Sequence, residues 1–209
     1  MSYNPQKHHR RSIRLKGYDY TSPGAYFVTI CVQDRACVLG HVVAGNVRLS
    51  AWGKIAAEKW SWLERQYPYV TQDEWVVMPN HLHGILVIED NSDLEHDSRG
   101  DDSRLRRRDD SRIVPTTRIT PTQTAPMQTK RKPLGRLIGA FKTVSTKQIN
   151  LERDTPGARF WQRNYYEHIV RNRRELNAIR AYIRNNPRKW ALDRDHPDKK
   201  GNRKRQAKP

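Results

Sequence analysis

Two apolar runs, TQDEWVVMP (71–79) and HLHGILVIE (81–89), are separated by a single residue and meet at Met78-Pro79-Asn80. Each has the length and the Val/Ile content of a strand, so the pair predicts an antiparallel hairpin. The second strand carries His81 and His83. Residues i and i+2 of a strand point to one face, so the two imidazoles share a face and Leu82 takes the other. On spacing alone, two readings remain open. The histidines are two partly exposed side chains, or they hold one metal ion.

Around this hairpin the pattern builds a small mixed fold. AYFVTICVQDR (25–35) is β-branched and aromatic, and reads as a strand. CVLGHVVAGNVRLS (37–50) predicts a short hairpin turning at Ala44-Gly45-Asn46. Ser50 can cap a helix whose apolar residues are Trp52, Ile55, Ala56, Trp60 and Leu63, and Pro68 closes that segment. Leu134, Leu137, Ile138, Phe141 and Val144 form a second helical stripe within 132–151, with Lys132, Arg136, Lys142 and Lys147 as its basic face. RFWQRNYYEHIVR (159–171) reads as a strand kinked near Asn164, and 173–190 as a helix stopped at Pro187. Tyr165 and Tyr166 are strand residues in this reading. Without the short hairpin and the last helix the order is β-α-β-β-α-β. That split pattern predicts an α+β fold, ferredoxin-like or RRM-like, with an antiparallel sheet, helices on one face and the other face open.

The remaining segments fall outside the pattern. Residues 91–131 repeat Asp-Ser-Arg at 97–99, 102–104 and 110–112 and then turn Pro/Thr-rich. That composition predicts a disordered insertion. The expected organisation is a basic arm over 1–24, one domain over 25–190 interrupted by 91–131, and a basic flexible tail over 191–209. Apolar residues make up only 35% of the 209, and the net charge is +18 with a pI near 10.3. This surplus favours a polyanionic partner, nucleic acid above all. There is no apolar run of 18 residues, which argues against a membrane span, and no hydrophobic segment follows the basic first residues, which argues against a secretory signal. Cys31 and Cys37 fit neither a disulfide framework nor a four-ligand zinc site, so a reducing, cytoplasmic setting is expected.

The last predicted helix bears on the histidines. Tyr182 and Asn186 are i and i+4 and share a face. Leu176, Ile179 and Ile183 make the packed stripe, with Tyr182 at its edge. Periodicity leaves Tyr182 as a boundary residue and Asn186 as a helix cap, or as a hydroxyl and an amide oxygen facing a ligand.

MPNHLHGI (78–85) together with YIRNNP (182–187) resembles the single-tyrosine transposases of the His-hydrophobe-His (HUH) superfamily. The likeness is to the REP-associated tyrosine transposase branch, the insertion-sequence-200-like group. RRSIRLKGYDYTSPGAYFVTICVQDR, LGRLIGAFKT and FWQRNYYEHIVRN resemble it in the same order. The resemblance implies a transposase that cleaves and rejoins DNA. Tyr182 would be the nucleophile, forming a 5′-phosphotyrosine. His81 and His83 would hold Mg²⁺ or Mn²⁺, with Asn186 completing the metal site. The implied partner is single-stranded or hairpin DNA of the REP type, met by a monomer or homodimer. Candidate DNA contacts are Arg10, Arg11, Arg14 and Lys16 in the arm, Lys142 on the helix, and Arg163 and His168 in the FWQRNYYEHIVRN block. Two other readings share the charge and the sheet. One is a nucleic-acid-binding module without chemistry. The other is a metal-dependent hydrolase drawing an acidic group from Glu89 or Glu167.

Overall fold

The computed structural model describes residues 15–90, 131–193 and 195–197. Arg10, Arg11, Arg14, the 91–130 segment and the tail from 198 lie outside the described residues. The chain divides into two compact units, Met1–Glu89 with Lys132–Pro209, and Asp90–Arg131. The first holds the elements that follow.

Strand β1 (Gly24–Cys31) leads to a short ribbon, β2 (Gly40–Val43) and β3 (Asn46–Leu49). Ala44 and Gly45 turn the ribbon with φ of 49° and 73°, the paired left-handed geometry that matches strand twist in a two-residue hairpin. Helix α1 (Ala51–Gln66) starts at Ser50, whose Oγ accepts the Gly53 N–H. Strands β4 (Val70–Met78) and β5 (His81–Ile88) form the expected hairpin. Helix α2 (Leu134–Glu152), strand β6 (Tyr166–Val170) and helix α3 (Arg173–Asn185) complete the order.

The main sheet runs β4-β5-β1-β6, with every neighbouring pair antiparallel. Leaving out the ribbon, this is the split β-α-β-β-α-β arrangement in space. Tyr26, Val28, Ile30, Leu82 and Leu86 face α1 and α2 and form the main core with Trp60, Leu63, Leu137 and Phe141. Trp60 sets the closest contact. A Cβ on Gly84 would lie 2.5 Å from Trp60 Cζ2, so the strand approaches the indole only because residue 84 has no side chain. Phe141 meets Trp60 edge-on at 5.4 Å.

The opposite face is not open. Phe27, Ile85 and Ile183 form a second, smaller core there, with Leu176 and Ile179 packed against it. The α3 stripe reaches that face because its apolar residues need cover that the crowded α1–α2 side cannot give.

Several boundaries differ from the sequence reading. β1 ends at Cys31 rather than 35, and Gln33–Arg35 form a 3-10 turn in which Asp34 and Arg35 have positive φ. The α2 stripe continues through buried Ser145 rather than Val144. The Ser145 hydroxyl donates to Phe141 O at 2.7 Å and accepts from Trp161 Nε1 at 2.9 Å. The strand expected over 159–171 survives only as β6, plus a lone bridge between Val32 and Trp161. Lys142 meets the part that leaves the ladder. Its Nζ lies 2.9, 3.4 and 3.2 Å from the carbonyls of Gln162, Arg163 and Asn164, which join no ladder. α3 stops at Asn185, and the chain continues as a 3-10 turn over Pro187–Leu192, since Pro187 supplies no N–H to extend the helix.

Candidate active site

His81 and His83 open β5, on the face that α3 covers, and both are buried. Their Nε2 atoms point at each other, 2.9 Å apart. The outer nitrogens are engaged elsewhere. His81 Nδ1 lies 2.8 Å from Asn80 Oδ1, and His83 Nδ1 lies 2.8 Å from the Thr29 hydroxyl, its register partner on β1. The Asn80 amide has one possible orientation. Its Nδ2 donates to Asp195 O at 2.8 Å and to Arg35 O at 3.2 Å, so Oδ1 must accept from His81 Nδ1–H. That tautomer turns the His81 Nε2 lone pair inward, toward His83.

α3 brings the tyrosine. Asn172 caps the helix by accepting the Glu175 N–H, and Ile183 anchors it in the smaller core. A register shift between Gln72 and Trp75 breaks the β4 ladder and sets Asp73 and Glu74 toward the helix. Arg180 Nε lies 2.9 Å from both Asp73 oxygens, and Arg184 pairs with Glu74 at 3.5 Å. The Asp73 carboxyl is held below its usual range. Burial is the largest single influence and works the other way, but the Arg180 hydrogen bonds, the Glu74 N–H and the charges of Arg180 and Arg184 together outweigh it.

So docked, Tyr182 places its hydroxyl 3.3 Å from His83 Nε2 while its side chain stays 49% exposed. Phe27 fixes both rings, stacking on His83 at 5.5 Å and meeting Tyr182 edge-on at 6.1 Å. Asn186 is buried one turn further on, and its Oδ1 has no hydrogen-bond partner among the described residues. A cleft of about 720 Å³ opens here, lined by His83, Tyr182, Asn186, Tyr166, Lys189 and Asp193 among others.

These donors fit a divalent cation. Two donors at right angles around a metal with bonds of ~2.1 Å would stand about 3.0 Å apart, near the Nε2 separation here. A buried amide oxygen without a donor carries a desolvation cost that a cation would offset. The ligand atoms of His81, His83 and Asp193 also all lie within 4.8 Å of one another.

The other candidates are more dispersed. His168 lies on the α3 face beside Tyr166 and Tyr182, but its Nε2 is 2.6 Å from Glu175 Oε1. The Arg171 N–H and His168 together hold the Glu175 carboxyl below its usual range. The Lys142 ammonium is committed to its three carbonyls, and burial pushes it down to about 8. Lys16 and Arg163 are exposed. Glu89 bonds the Thr71 hydroxyl at the far end of β5, and Glu167 is paired with Val28 on the α1–α2 side, so neither carboxylate lies beside the histidines. Asp193, Asn80, Thr29 and Phe27 escaped the sequence reading. Asn80 sat inside the quoted motif as a turn residue, and Thr29 and Phe27 looked like ordinary strand residues. Asp193 lay just past the expected end of the domain.

The fold is similar to that of a transposase of known structure. A solved structure of a REP-associated tyrosine transposase bound to a REP hairpin superposes with a TM-score of 0.51 at 18% identity, over 86% of this chain and 74% of that one. No family model matches the sequence. An uncharacterized protein of Haemophilus influenzae (strain Rd) is 35% identical over 196 residues, 94% of this chain and 98% of that protein, and this chain belongs to the same family as that protein.

Proposed function

We propose that this protein is a metal-dependent tyrosine transposase, which cuts and rejoins single-stranded DNA at hairpin sites of the REP type. The observation that carries this reading is the Tyr182 hydroxyl, half exposed yet 3.3 Å from the inward-facing His83 Nε2. His81, His83 and Asn186 would hold Mg²⁺ or Mn²⁺, which supplies charge stabilisation at a scissile phosphate.

The chain's own groups carry the rest. Tyr182 Oη forms a bond to phosphorus as the bond from phosphorus to the 3′-oxygen breaks. The phenolic proton passes to solvent and the departing 3′-oxygen takes one up, leaving a 5′-phosphotyrosine and a free 3′-OH. Attack by a 3′-OH on the phosphotyrosine reverses the step without ATP. A phenol with an unperturbed pKa of about 10 is a weak nucleophile at neutral pH. Lys189, in the same cleft, helps by neutralising the phosphate. Phe27 and the Arg180–Asp73 pair keep the ring in place.

Tyr182 and the histidines belong to one chain, so a monomer would suffice, working in the cytoplasm. One catalytic domain would span 25–190. The basic arm with Arg10, Arg11, Arg14 and Lys16, together with Arg163, would grip the backbone, and affinity would fall steeply with salt. No helix among the described residues is long and apolar enough to cross a membrane.

Labelled single-stranded DNA bearing a hairpin, incubated with protein and Mg²⁺ or Mn²⁺ and run on a denaturing gel, tests the reading. A covalent protein–DNA band is expected, dependent on metal and absent in Tyr182→Phe. A band surviving in Tyr182→Phe sinks the nucleophile assignment. Cleavage with no covalent band favours the hydrolase, for which Asp193 offers the acidic group that Glu89 and Glu167 do not. Binding without cleavage favours the module.

A further inference from the structure

The residues after α3 are tied to the histidine end of the sheet. Asn80 Nδ2 bonds Asp195 O, and Arg35 pairs with the buried Asp195 carboxylate. The Asp195 N–H donates to Asp193 Oδ1 at 2.6 Å. The Trp190 ring lies 6.0 Å from the His81 ring and 4.9 Å from the His196 ring. Together these contacts bring the Asp193 carboxylate to the two imidazoles, with ligand atoms within 4.8 Å of one another. A second observation points to the same spot. Asn186, 3% exposed, lines the same cleft with an Oδ1 that has no hydrogen-bond partner among the described residues.

Two neutral imidazoles do not explain why a carboxylate stands beside them with a partnerless amide oxygen in the same cleft. A dication does. We propose that Asp193 is an anionic ligand of the metal site, delivered by a segment that Arg35 and Asn80 hold in place. This rests on the metal reading above. The donor set is then His81, His83, Asn186 and Asp193, two nitrogens and two oxygens with one negative charge. Imidazole nitrogens raise affinity for Mn²⁺ over Mg²⁺, and the carboxylate and amide oxygens suit Mn²⁺ as a hard partner. Asn80 becomes a positioning residue with two duties, because one amide fixes the His81 tautomer and the course of the segment carrying Asp193.

The test is Mn²⁺ titration of the DNA-free full chain by calorimetry, alongside metal-free melting temperatures. Asp193→Asn keeps an acceptor for the Asp195 N–H, so its metal-free melting should match wild type. It should bind Mn²⁺ at least about tenfold more weakly, with His83→Ala weaker still. Asp193→Glu, which restores a carboxylate, should recover part of the loss even if Asp193→Asn melts lower. Wild-type Mn²⁺ affinity in Asp193→Asn, with binding lost in His83→Ala, overturns the proposal and leaves the metal reading standing. Equal Mn²⁺ binding by wild type and His83→Ala overturns both. A loss in Asp193→Asn tracked by lower metal-free stability and not recovered by Asp193→Glu makes Asp193 structural and overturns the proposal.

Discussion

Phe27 stacks on His83, with ring planes 30° apart, and meets the Tyr182 ring at 89°, so one strand side chain sets the positions of two site residues that lie 99 apart in sequence. Aromatic contacts of this kind orient rings as well as bury them. Replacing Phe27 with Leu keeps most of the apolar bulk and removes the two ring contacts. Covalent-complex formation should fall by about a hundredfold, the scale of a misplacement near 1 Å. DNA affinity, which the proposed function assigns to cationic groups elsewhere, should change little. Single-turnover gels and a binding titration on the same variant separate the two effects.

The Arg180–Asp73 pair makes the docking of α3 acid-sensitive. The folded-state carboxyl is held below its unfolded value of about 3.9, so its stabilising contribution is present above that pH and is lost as pH falls through the folded pKa. The melting temperature of wild type should drop more steeply below pH 4 than that of Asp73→Asn. Parallel slopes in the two proteins would show that the pair contributes no pH-dependent stability.

Gly84 admits no side chain. An alanine there would push a methyl into the Trp60 ring, and overpacking of this kind costs about 1–3 kcal/mol. Urea denaturation of Gly84→Ala should show a lower midpoint with an unchanged slope. Gly84→Ala combined with Trp60→Leu should lose less than the sum of the two single changes, because the second substitution removes the obstacle the first one meets.

Much of this was legible in the sequence for identifiable reasons. Alternation and helical spacing are local signals, so the β4–β5 hairpin, the Ser50 cap and the α3 stripe of Leu176, Ile179 and Ile183 could be read directly. Tyr182 and Asn186 could be placed on one face by periodicity, although the reading that joined them to His81 and His83 came from motif likeness. What could not be read depends on long-range partners. A half-buried ammonium at Lys142 gathers the carbonyls of Gln162, Arg163 and Asn164, in the part of the apparent strand that joins no ladder. The face expected to be open is covered because α3 has an apolar stripe and the other face is already full. Thr29 meets His83 through strand register, and Asp193 arrives through a turn that only Asn80, Arg35 and Asp195 together define.

Chain order has a consequence for synthesis. His83 and the tyrosine facing it are 99 positions apart, and α3 follows every strand of the main sheet. At ribosomal rates of about 5–20 residues per second, roughly 5–20 s pass between emergence of the pair and of Tyr182. A nascent chain stalled in that interval carries the histidines but lacks Tyr182, the nucleophile of the proposed reaction. If the proposed strand-breaking activity holds, the order in which its parts are translated withholds it from unfinished chains.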